Sequence, residues 1–395
     1  MFLNNSKFML FHIGLVVLNV LLFHLIGGKA TLVSPIFDLY ILLIFILVSM
    51  SYGIFFSRKT MLILILTLFY FSIYVVRYYF FNDFGYKNNY ELVRSSRFIY
   101  YLIMFIFISE VSINRTGTKV ILQLTDFLNF SKLFFYTFLF SYIFQVVFLG
   151  VERPKLYSEN NYEIPSLLIL YSIYLSIATK SKIDLPRRSF VSLFVYAASL
   201  VSLSKSGVLE AMFVFVKSRM KTISVVNIST FVMTSIISIL TVYIIFNLRS
   251  SGNDFSEIDR MLFLNVFISV VSEFEFVEYL FGKGLAREMP LYSCIELKYW
   301  ATAISEDFSY CNATVFHSFL LKSLYEFGVI GTLLFLSTWF YFLSRFYGLS
   351  LGISIFTIIF ICSLSVTGFS NSIVIWVVFL GTIIDFNYRD YKDEY

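Results

Sequence analysis

The sequence predicts an all-α polytopic membrane protein with about 12 transmembrane helices. Of its 395 residues, 58% are hydrophobic and only 14% are charged, whereas soluble domains average about 25% charged residues. The mean hydropathy is +0.81. A soluble domain has too little interior to bury 49 Phe and 28 Tyr residues. The net charge of +5 is also too small for a strongly basic protein that binds nucleic acid.

Apolar runs that could cross a membrane recur along the chain. A transmembrane helix needs about 20 mostly apolar residues, and such runs, some of them short, lie at roughly 8–28, 32–56, 60–81, 98–113, 131–150, 165–179, 189–204, 207–216, 223–246, 327–344, 348–367 and 371–386. No small-residue cleavage site follows the first run, so we expect an uncleaved first helix. The runs define N-terminal transmembrane helices at 1–247, a large outer loop at 248–314, and C-terminal transmembrane helices with a tail at 315–395.

The short runs at 189–204 and 207–216 have two interpretations. One long tilted helix would put the basic residues on its two flanks on opposite sides of the membrane. A hairpin spanning 189–216, turning at Lys205, would put both flanks on one side. The positive-inside rule favours the hairpin. With both termini cytoplasmic, 16 of the 30 Lys and Arg residues then lie on the cytoplasmic side.

The large outer loop contains a predicted amphipathic helix at Met261–Phe281. Its apolar positions recur at helical spacing and are Phe263, Val266, Phe267, Val270, Phe274, Val277 and Phe281. This pattern is typical of a helix that lies on the membrane surface. The alternative is that the apolar face packs on other helices of the protein.

Two cysteines lie in the same loop, Cys294 and Cys311, with 16 residues between them. A cysteine pair in one external loop predicts a disulfide bond in an oxidising compartment. Closing a loop of this size stabilises the folded state by roughly 3 kcal/mol in the chain-entropy treatment. The alternative is two unpaired thiols. Cys362 falls inside an apolar run and is expected to be a small buried side chain.

Metal and nucleotide chemistry have no matching motif. No Cys-x-x-Cys or His-x-x-x-His spacing is present, and the three histidines are far apart, so the sequence predicts neither a metal nor another cofactor. No P-loop glycine pattern indicates nucleotide hydrolysis. The basic residues outside the membrane are therefore the main candidates for chemistry. They include Arg94 and Arg97, in a second outer loop at 82–97.

The segment that leads from the large loop into the next apolar run is the most informative. It contains His317-Ser318-Phe319-Leu320, followed by Glu326, Gly328 and Gly331. Upstream, in order, are the turn Ser204-Lys205-Ser206-Gly207, then Arg260, then Gly282 and Gly284. These residues in this order resemble the O-antigen polymerase and O-antigen ligase family of bacterial envelope enzymes. The departures are Lys205 where family members often have Arg, the inserted Ser206, and Ser318 in place of Asn.

The resemblance implies a type C glycosyltransferase-like fold in the bacterial inner membrane, with the active site facing the periplasm. It implies oligosaccharide substrates linked by a diphosphate to undecaprenol, and no metal. A polymerase of this kind moves the growing glycan from one undecaprenyl diphosphate onto the next lipid-linked repeat unit. A ligase moves the finished glycan onto lipid A-core. Membrane lipids and a chain-length regulator protein are further expected partners, and nucleic acid is not.

The expected site residues follow from the charge of such a substrate. Without a metal, cationic side chains must stabilise the charge that develops on a diphosphate leaving group, and the guanidinium fork suits phosphate oxygens. We expect His317 and Arg260 to be catalytic, with His317 binding an oxygen or accepting the proton of the acceptor hydroxyl. The expected diphosphate-binding residues are Lys205, Arg94, Arg97, Arg249 and Arg287. The expected positioning residues are Glu326, Gly282, Gly284 and Gly328.

Each charged residue also has a structural interpretation. Lys205 would then extend from a helix end to the membrane surface, Arg260 would pair with nearby acids, and Arg94 and Arg97 would contact lipid headgroups. His317 would bond to backbone at the start of a helix. His317 and Glu326 lie nine residues apart, on opposite sides of a straight helix, so they are not expected to form an acid–base pair. Lys322 and Glu326 have the spacing of helix neighbours.

Three classes of function remain open. The sequence favours the polymerase, with the ligase as the nearest alternative. A transporter or lipid-linked oligosaccharide flippase is a different class, for which Asp38, Arg77 and Glu110 are the ionisable candidates in or near the early helices. Transport does not explain the large loop with its two cysteines. A non-catalytic membrane scaffold is the third class.

Overall fold

The computed structural model describes residues 33–51, 56–80, 89–113, 124–151, 154–156, 162–180, 188–202, 204–219, 235–240, 259–298 and 311–384, together with isolated positions elsewhere. All regular elements in these ranges are helical. The β contact found there is an isolated antiparallel bridge between Glu288 and Asn312. The described part of the chain is therefore a helical bundle, as the composition predicts.

In chain order the helices are α1 (Val33–Ser51), α2 (Arg58–Phe80), α3 (Asn89–Ser95), α4 (Arg97–Ile113), α5 (Leu124–Leu149), α6 (Glu163–Lys180), α7 (Arg188–Val201), α8 (Lys205–Arg219), α9 (Asp259–Ser272), α10 (Phe276–Phe281), α11 (Leu291–Glu296), α12 (Phe319–Tyr347), α13 (Leu349–Ser365) and α14 (Ser372–Thr382). Short 3-10 turns lie at Ala313–Phe316 and Gly368–Ser370.

Three of these helices are long and apolar enough to cross a membrane: α2, Asp126–Leu149 within α5, and α12. Shorter apolar helices occur within α1, α6, α7, α9, α13 and α14. This pattern is that of a multi-pass helical membrane protein. The predicted runs at 8–28 and 223–246 fall mostly outside the described residues. The total of about 12 spans therefore stays a prediction.

Helix α2 joins two ends of the bundle. In its first turn, the Thr60 hydroxyl donates to Glu110 at 3.0 Å. Near its last turn, the Tyr74 hydroxyl donates to the Phe281 carbonyl of α10 at 2.8 Å. With 23 residues at about 1.5 Å each, α2 spans about 35 Å, close to the thickness of a bilayer core. We refer to these two ends as the Glu110 end and the loop end.

A buried charge pair closes the Glu110 end. The carboxylate of Glu110 is fully buried. Arg345 of α12 contacts it through both terminal guanidinium nitrogens, Nη1 at 2.9 Å and Nη2 at 3.1 Å. Thr60 and the Ser57 backbone N–H donate to the same carboxylate, at 3.0 and 3.1 Å. The burial of this carboxylate is tolerated because its oxygens are satisfied. The pair fixes α2, α4 and α12 relative to one another.

An aromatic cluster packs the bundle toward the loop end. Phe98 of α4 is 1% exposed. Its ring meets those of Phe71, Phe319, Phe327 and Phe335 edge to face, with centroids 4.8–5.7 Å apart. Such pairs add to the free energy gained by burial alone. The cluster holds the first half of α12 against α2 and α4.

Residues 188–219 form two helices, α7 and α8, that pack on each other and are joined by a short turn. Ser204 caps α8, because its side-chain oxygen accepts from the Gly207 N–H at 3.3 Å. A Cβ on Gly207 would lie 2.7 Å from the Ile164 side chain. The turn that begins at Ser204 is therefore seated directly on the start of α6.

The predicted amphipathic helix at Met261–Phe281 is wrong in two respects. It is two helices, α9 and α10, separated at Glu273–Glu275. Glu275 and Glu278 form a capping box that starts α10. The apolar face is also divided, since Phe263, Val266, Val270 and Phe274 are buried, whereas Val277 is 62% exposed.

The buried half of this face belongs to a small second core. Phe263, Val266 and Val270 of α9 and the following Phe274 contribute to it. The other members are Met289, Cys294, Leu297, Cys311, Ala313, Val315, Phe316 and Tyr325. The loop thus packs α9 on its own disulfide-linked segment and on α12. Helix α12 begins at Phe319, eight residues before the start of the apolar run predicted at 327–344. The buried half of the apolar face therefore packs on other parts of the protein and does not lie on the membrane surface.

Candidate functional site

The Gly-x-Gly turn after α10 packs on a break in α12. The Lys283 N–H donates to the Tyr325 carbonyl at 2.8 Å, and the Gly284 N–H donates to the Glu326 carbonyl at 3.0 Å. These carbonyls are released for bonding because α12 is interrupted at Gly328, with φ +66° and ψ −170°. Two motif pieces that are more than 40 residues apart are thus joined by backbone hydrogen bonds.

Glycine is required on both sides of this contact. Gly282 has φ +72° and Gly328 has φ +66°, a region that residues with a Cβ rarely adopt. A Cβ on Gly282 would lie within 3.0 Å of the Glu326 and Phe327 backbone. A Cβ on Gly328 would lie within 3.0 Å of the Leu280 and Phe281 backbone. The two backbones therefore touch directly.

Glu326 organises the segment that follows the turn. Its carboxylate is fully buried and accepts from the Ala286 N–H at 3.0 Å. Its other oxygen lies 3.9 Å from Lys322 Nζ, one helical turn earlier, and the Ser95 hydroxyl faces the same carboxylate. Ala286 has φ +48°, an unfavourable conformation for this residue type. Glu326 thus bonds directly to the backbone of the segment that follows the turn.

Cationic side chains surround this turn. Lys283 forms an ion pair with Glu278 at 2.6 Å and lies 5.0 Å from the Phe274 ring centroid. Burial would raise the pKa of Glu278, but the hydrogen bond and charge of Lys283 outweigh it and lower that pKa below its ordinary value. Arg287 Nη1 lies 3.5 Å from the Lys283 carbonyl. Partial burial raises the pKa of Glu288, and Arg287 opposes this effect.

Arg77 of α2 reaches the same turn. Its Cδ and Nε lie 3.9 and 4.0 Å from the position that a Cβ on Gly284 would occupy. From the sequence, Arg77 is a candidate only for a transporter. The spacing of Tyr70, Tyr74 and Arg77, which lie on one face of α2, was the available signal. Tyr70 and Tyr74 are hydrogen-bonded to each other at 2.8 Å.

His317 lies at the start of α12 in the left-handed conformation, with φ +52°. It ends the 3-10 turn Ala313–Phe316, is partly exposed, and its ring centroid lies 5.8 Å from that of Phe263. Ser318 caps α12 by accepting from the Leu321 N–H at 3.3 Å and donates to the Ser363 carbonyl at 3.1 Å. The turn therefore fixes the backbone of His317 at the entry to α12, and Ser318 anchors that entry.

The predicted disulfide between Cys294 and Cys311 is confirmed. The two Cα atoms are 5.5 Å apart, and both residues are buried. The Met289 N–H also donates to the Cys311 carbonyl at 2.9 Å. The bond therefore ties the segment that follows the Gly-x-Gly turn to the segment that leads into His317. Cys362 is buried and free, as expected.

Arg94 and Arg97 lie on either side of the short break between α3 and α4. Arg97 points toward α1, where it lies 3.2 Å from Ser34 Oγ and 3.6 Å from Asp38. The Tyr100 hydroxyl donates to Asp38 at 3.2 Å, and the Tyr101 hydroxyl donates to the same oxygen. Arg97 is thus engaged within the protein, and the two arginines do not form one shared site through any contact in the described residues.

The remaining predicted residues lie apart from these contacts or outside the described residues. Lys205 is the partly buried first residue of α8, in the turn seated on α6. Arg260 lies in the first turn of α9, but its side chain is outside the described residues, as is the whole of Arg249. The structure thus brings together Gly282, Gly284, Arg287, Glu326 and Gly328, and connects them to His317 through the disulfide-linked core.

In the described part of the chain, no group of three or more His, Cys, Asp or Glu residues is placed to hold a metal ion. Comparison with protein-family models, with curated proteins and with solved structures returned no match.

Proposed function

We propose that the protein is an O-antigen polysaccharide polymerase. It would transfer the growing glycan from undecaprenyl diphosphate onto the next lipid-linked repeat unit, at the periplasmic face of the bacterial inner membrane. The observation that carries the proposal is the direct contact between the Gly282–Gly284 turn and the Glu326–Gly328 break, with basic side chains around it. These are the same motif pieces on which the family resemblance rests.

The chemistry of the proposed reaction suits this end of the bundle. The leaving lipid diphosphate carries several negative charges near headgroup depth. Lys283 lies in the Gly-x-Gly turn and Arg287 follows it, close to the end of α2. Fixed cations in such a place stabilise the developing charge without rearranging during the reaction. Arg260, Arg249, Lys205, Arg94 and Arg97 remain proposed contributors from neighbouring segments.

His317 is the residue proposed to interact with the hydroxyl group of the acceptor sugar. It is partly exposed, and the left-handed turn and the Ser318 cap hold it at the start of α12. An imidazole in this position accepts the hydroxyl proton as the sugar oxygen attacks, or donates a hydrogen bond to a phosphate oxygen. Glu326 is excluded from that role in the present arrangement, because it is fully buried and already accepts from Ala286.

The transporter interpretation has less support from the early helices. Transport usually relies on ionisable groups that are available within the membrane. Asp38 is held by Arg97 and two tyrosines, and Glu110 is held by Arg345, Thr60 and Ser57. Both carboxylates are therefore satisfied by the protein itself.

Deletion of the gene in a polysaccharide-producing host is the decisive test. Loss of a polymerase leaves lipid A-core that carries a single repeat unit. Loss of a ligase leaves core with none, while lipid-linked polymer accumulates. Complementation with His317→Ala or Arg287→Gln should then fail to restore the long-chain ladder at normal protein level. Arg58→Gln, at the exposed start of α2, is the matched control and should restore it; normal ladders from both site variants would reject the site.

A further inference from the structure

The ionisable residues of the first helices differ in the hydrogen-bond and ion-pair partners that the protein provides. Asp38 and Glu110 each accept from several groups. Arg77 has no hydrogen bond or ion pair with any residue that the structure describes. It is only partly exposed, in the last turn of a helix that is long enough to cross the membrane. A guanidinium near the end of a membrane-spanning helix is costly in free energy unless a ligand accepts its hydrogen bonds.

The surroundings of Arg77 favour an anion. Its side chain runs past Gly284, in the turn that also carries Lys283. Arg287 approaches the Lys283 carbonyl from the same segment. Of the acids nearby, Glu278 is paired with Lys283, and Glu326 faces Lys322 and Ala286 N–H. No described carboxylate forms an ion pair with Arg77.

The packing of α2 fixes the backbone position of Arg77. One turn before it, Tyr74 donates to the Phe281 carbonyl, immediately before Gly282. The rings of Tyr74 and Phe327 are 5.0 Å apart. The end of α2 is thereby attached to both halves of the backbone contact between α10 and α12. The Arg77 backbone is therefore held beside the turn before any ligand arrives, which reduces the entropy lost on binding.

We propose that Arg77 binds the diphosphate of the lipid-linked substrate, as an additional cation contributed by the early helices. This inference rests on the proposed function and adds a residue that the motif pieces do not contain. A planar guanidinium can hold two phosphate oxygens at once. Arg77 is in the last turn of a helix long enough to cross a membrane, and the ends of such a helix reach the headgroup region. The headgroup of an anionic phospholipid shares this chemistry and is the competing source of the phosphate.

The test is direct binding of undecaprenyl diphosphate, without sugar, to the full-length protein in phosphatidylcholine nanodiscs. Arg77→Gln should weaken binding roughly tenfold or more, the loss expected for a charge-assisted hydrogen bond. Arg77→Lys keeps the charge but not the fork, and should bind several-fold more weakly than the wild type. Arg58→Gln, at the other end of the same helix, should bind like the wild type. Wild-type affinity in both Arg77 variants would overturn the assignment.

Two further measurements separate the remaining explanations. If adding phosphatidylglycerol competes away the Arg77-dependent binding at equal molar ratio, the residue is a phospholipid site and the assignment fails. Asp83 is the acidic residue nearest to Arg77 in the sequence. If Arg77→Gln lowers the thermal midpoint and Asp83→Asn reproduces the change, Arg77 has an internal partner and the assignment also fails. Arg77-dependent binding in a protein whose deletion leaves chain length unchanged would support the site while rejecting the polymerase.

Discussion

Gly282 and Gly328 lie on the two sides of one backbone-to-backbone contact that leaves no room for a Cβ on either residue. Through this contact the end of α10 lies in the break of α12, and the carbonyls of Tyr325 and Glu326 accept from the Gly-x-Gly turn. The contact places the basic residues of the turn beside the end of α2. The geometry of the proposed site therefore depends on two residues that carry no functional group.

Alanine at either glycine should destabilise the protein. A positive φ alone costs about 1–3 kcal/mol for a residue with a Cβ, and the backbone overlap adds to this cost. The matched control is Gly348→Ala, because Gly348 also has a positive φ of +80° but has no atom within 4 Å of the position that a Cβ would occupy. The thermal midpoint in detergent should fall further for Gly282→Ala and Gly328→Ala than for Gly348→Ala. Equal falls would show that the contact is unimportant.

Removing the disulfide should lower stability and disturb His317. Cys294 and Cys311 are 17 positions apart, and a loop of that size corresponds to roughly 3 kcal/mol in the chain-entropy treatment. A Cys294→Ser, Cys311→Ser double variant should unfold at a lower temperature than Cys362→Ser, which removes only a free thiol. Mass spectrometry after alkylation without reductant checks the bond itself. Two alkylated thiols in the wild type would contradict it.

Breaking the Glu110–Arg345 pair should be costly at the opposite end of the bundle. Arg345→Gln would remove the cationic partner of the buried Glu110 carboxylate while the hydrogen bonds from Thr60 and Ser57 remain. Loss of one partner of a buried pair costs about 3–5 kcal/mol, reduced here because the Arg345 side chain is 22% exposed. Arg345→Gln alone should lower the thermal midpoint markedly. Adding Glu110→Gln to Arg345→Gln should partly restore it, because the double variant has no unpaired buried charge. Additive losses in the double variant would indicate no direct coupling.

The Lys283–Glu278 pair should make a small contribution that depends on pH. Because the folded-state pKa of Glu278 is lowered, its carboxylate stabilises the protein above the unfolded pKa of about 4.3, and this stability is lost as the pH falls through the folded value. At this partly exposed site the contribution is at most about 1 kcal/mol. The difference in thermal midpoint between wild type and Glu278→Gln should therefore be present at pH 7 and shrink toward pH 3. Glu296→Gln, at an exposed position on α11, should show no such difference.

Prediction from sequence succeeded where local pattern decides the outcome. Apolar composition predicted a helical membrane protein, and two cysteines in one loop predicted their bond. It failed at Met261–Phe281, where an unbroken apolar period suggested one surface helix. The pattern does not show that Glu275 and Glu278 restart the helix. It also does not show that Phe263 and Val266 face a core built by residues far along the chain.

The sequence by itself determined that the chain is helical and lies in a membrane, because burial of so many apolar side chains depends on composition and period alone. It also determined which glycines and basic residues are unusual. Only the tertiary structure decided how they combine. Arg97 is engaged by Asp38, whereas Arg77 is left beside Gly284 with no partner in the described residues. The physical reason is that pairing of charges depends on distance in space, which is set by the packing of helices that are remote in sequence.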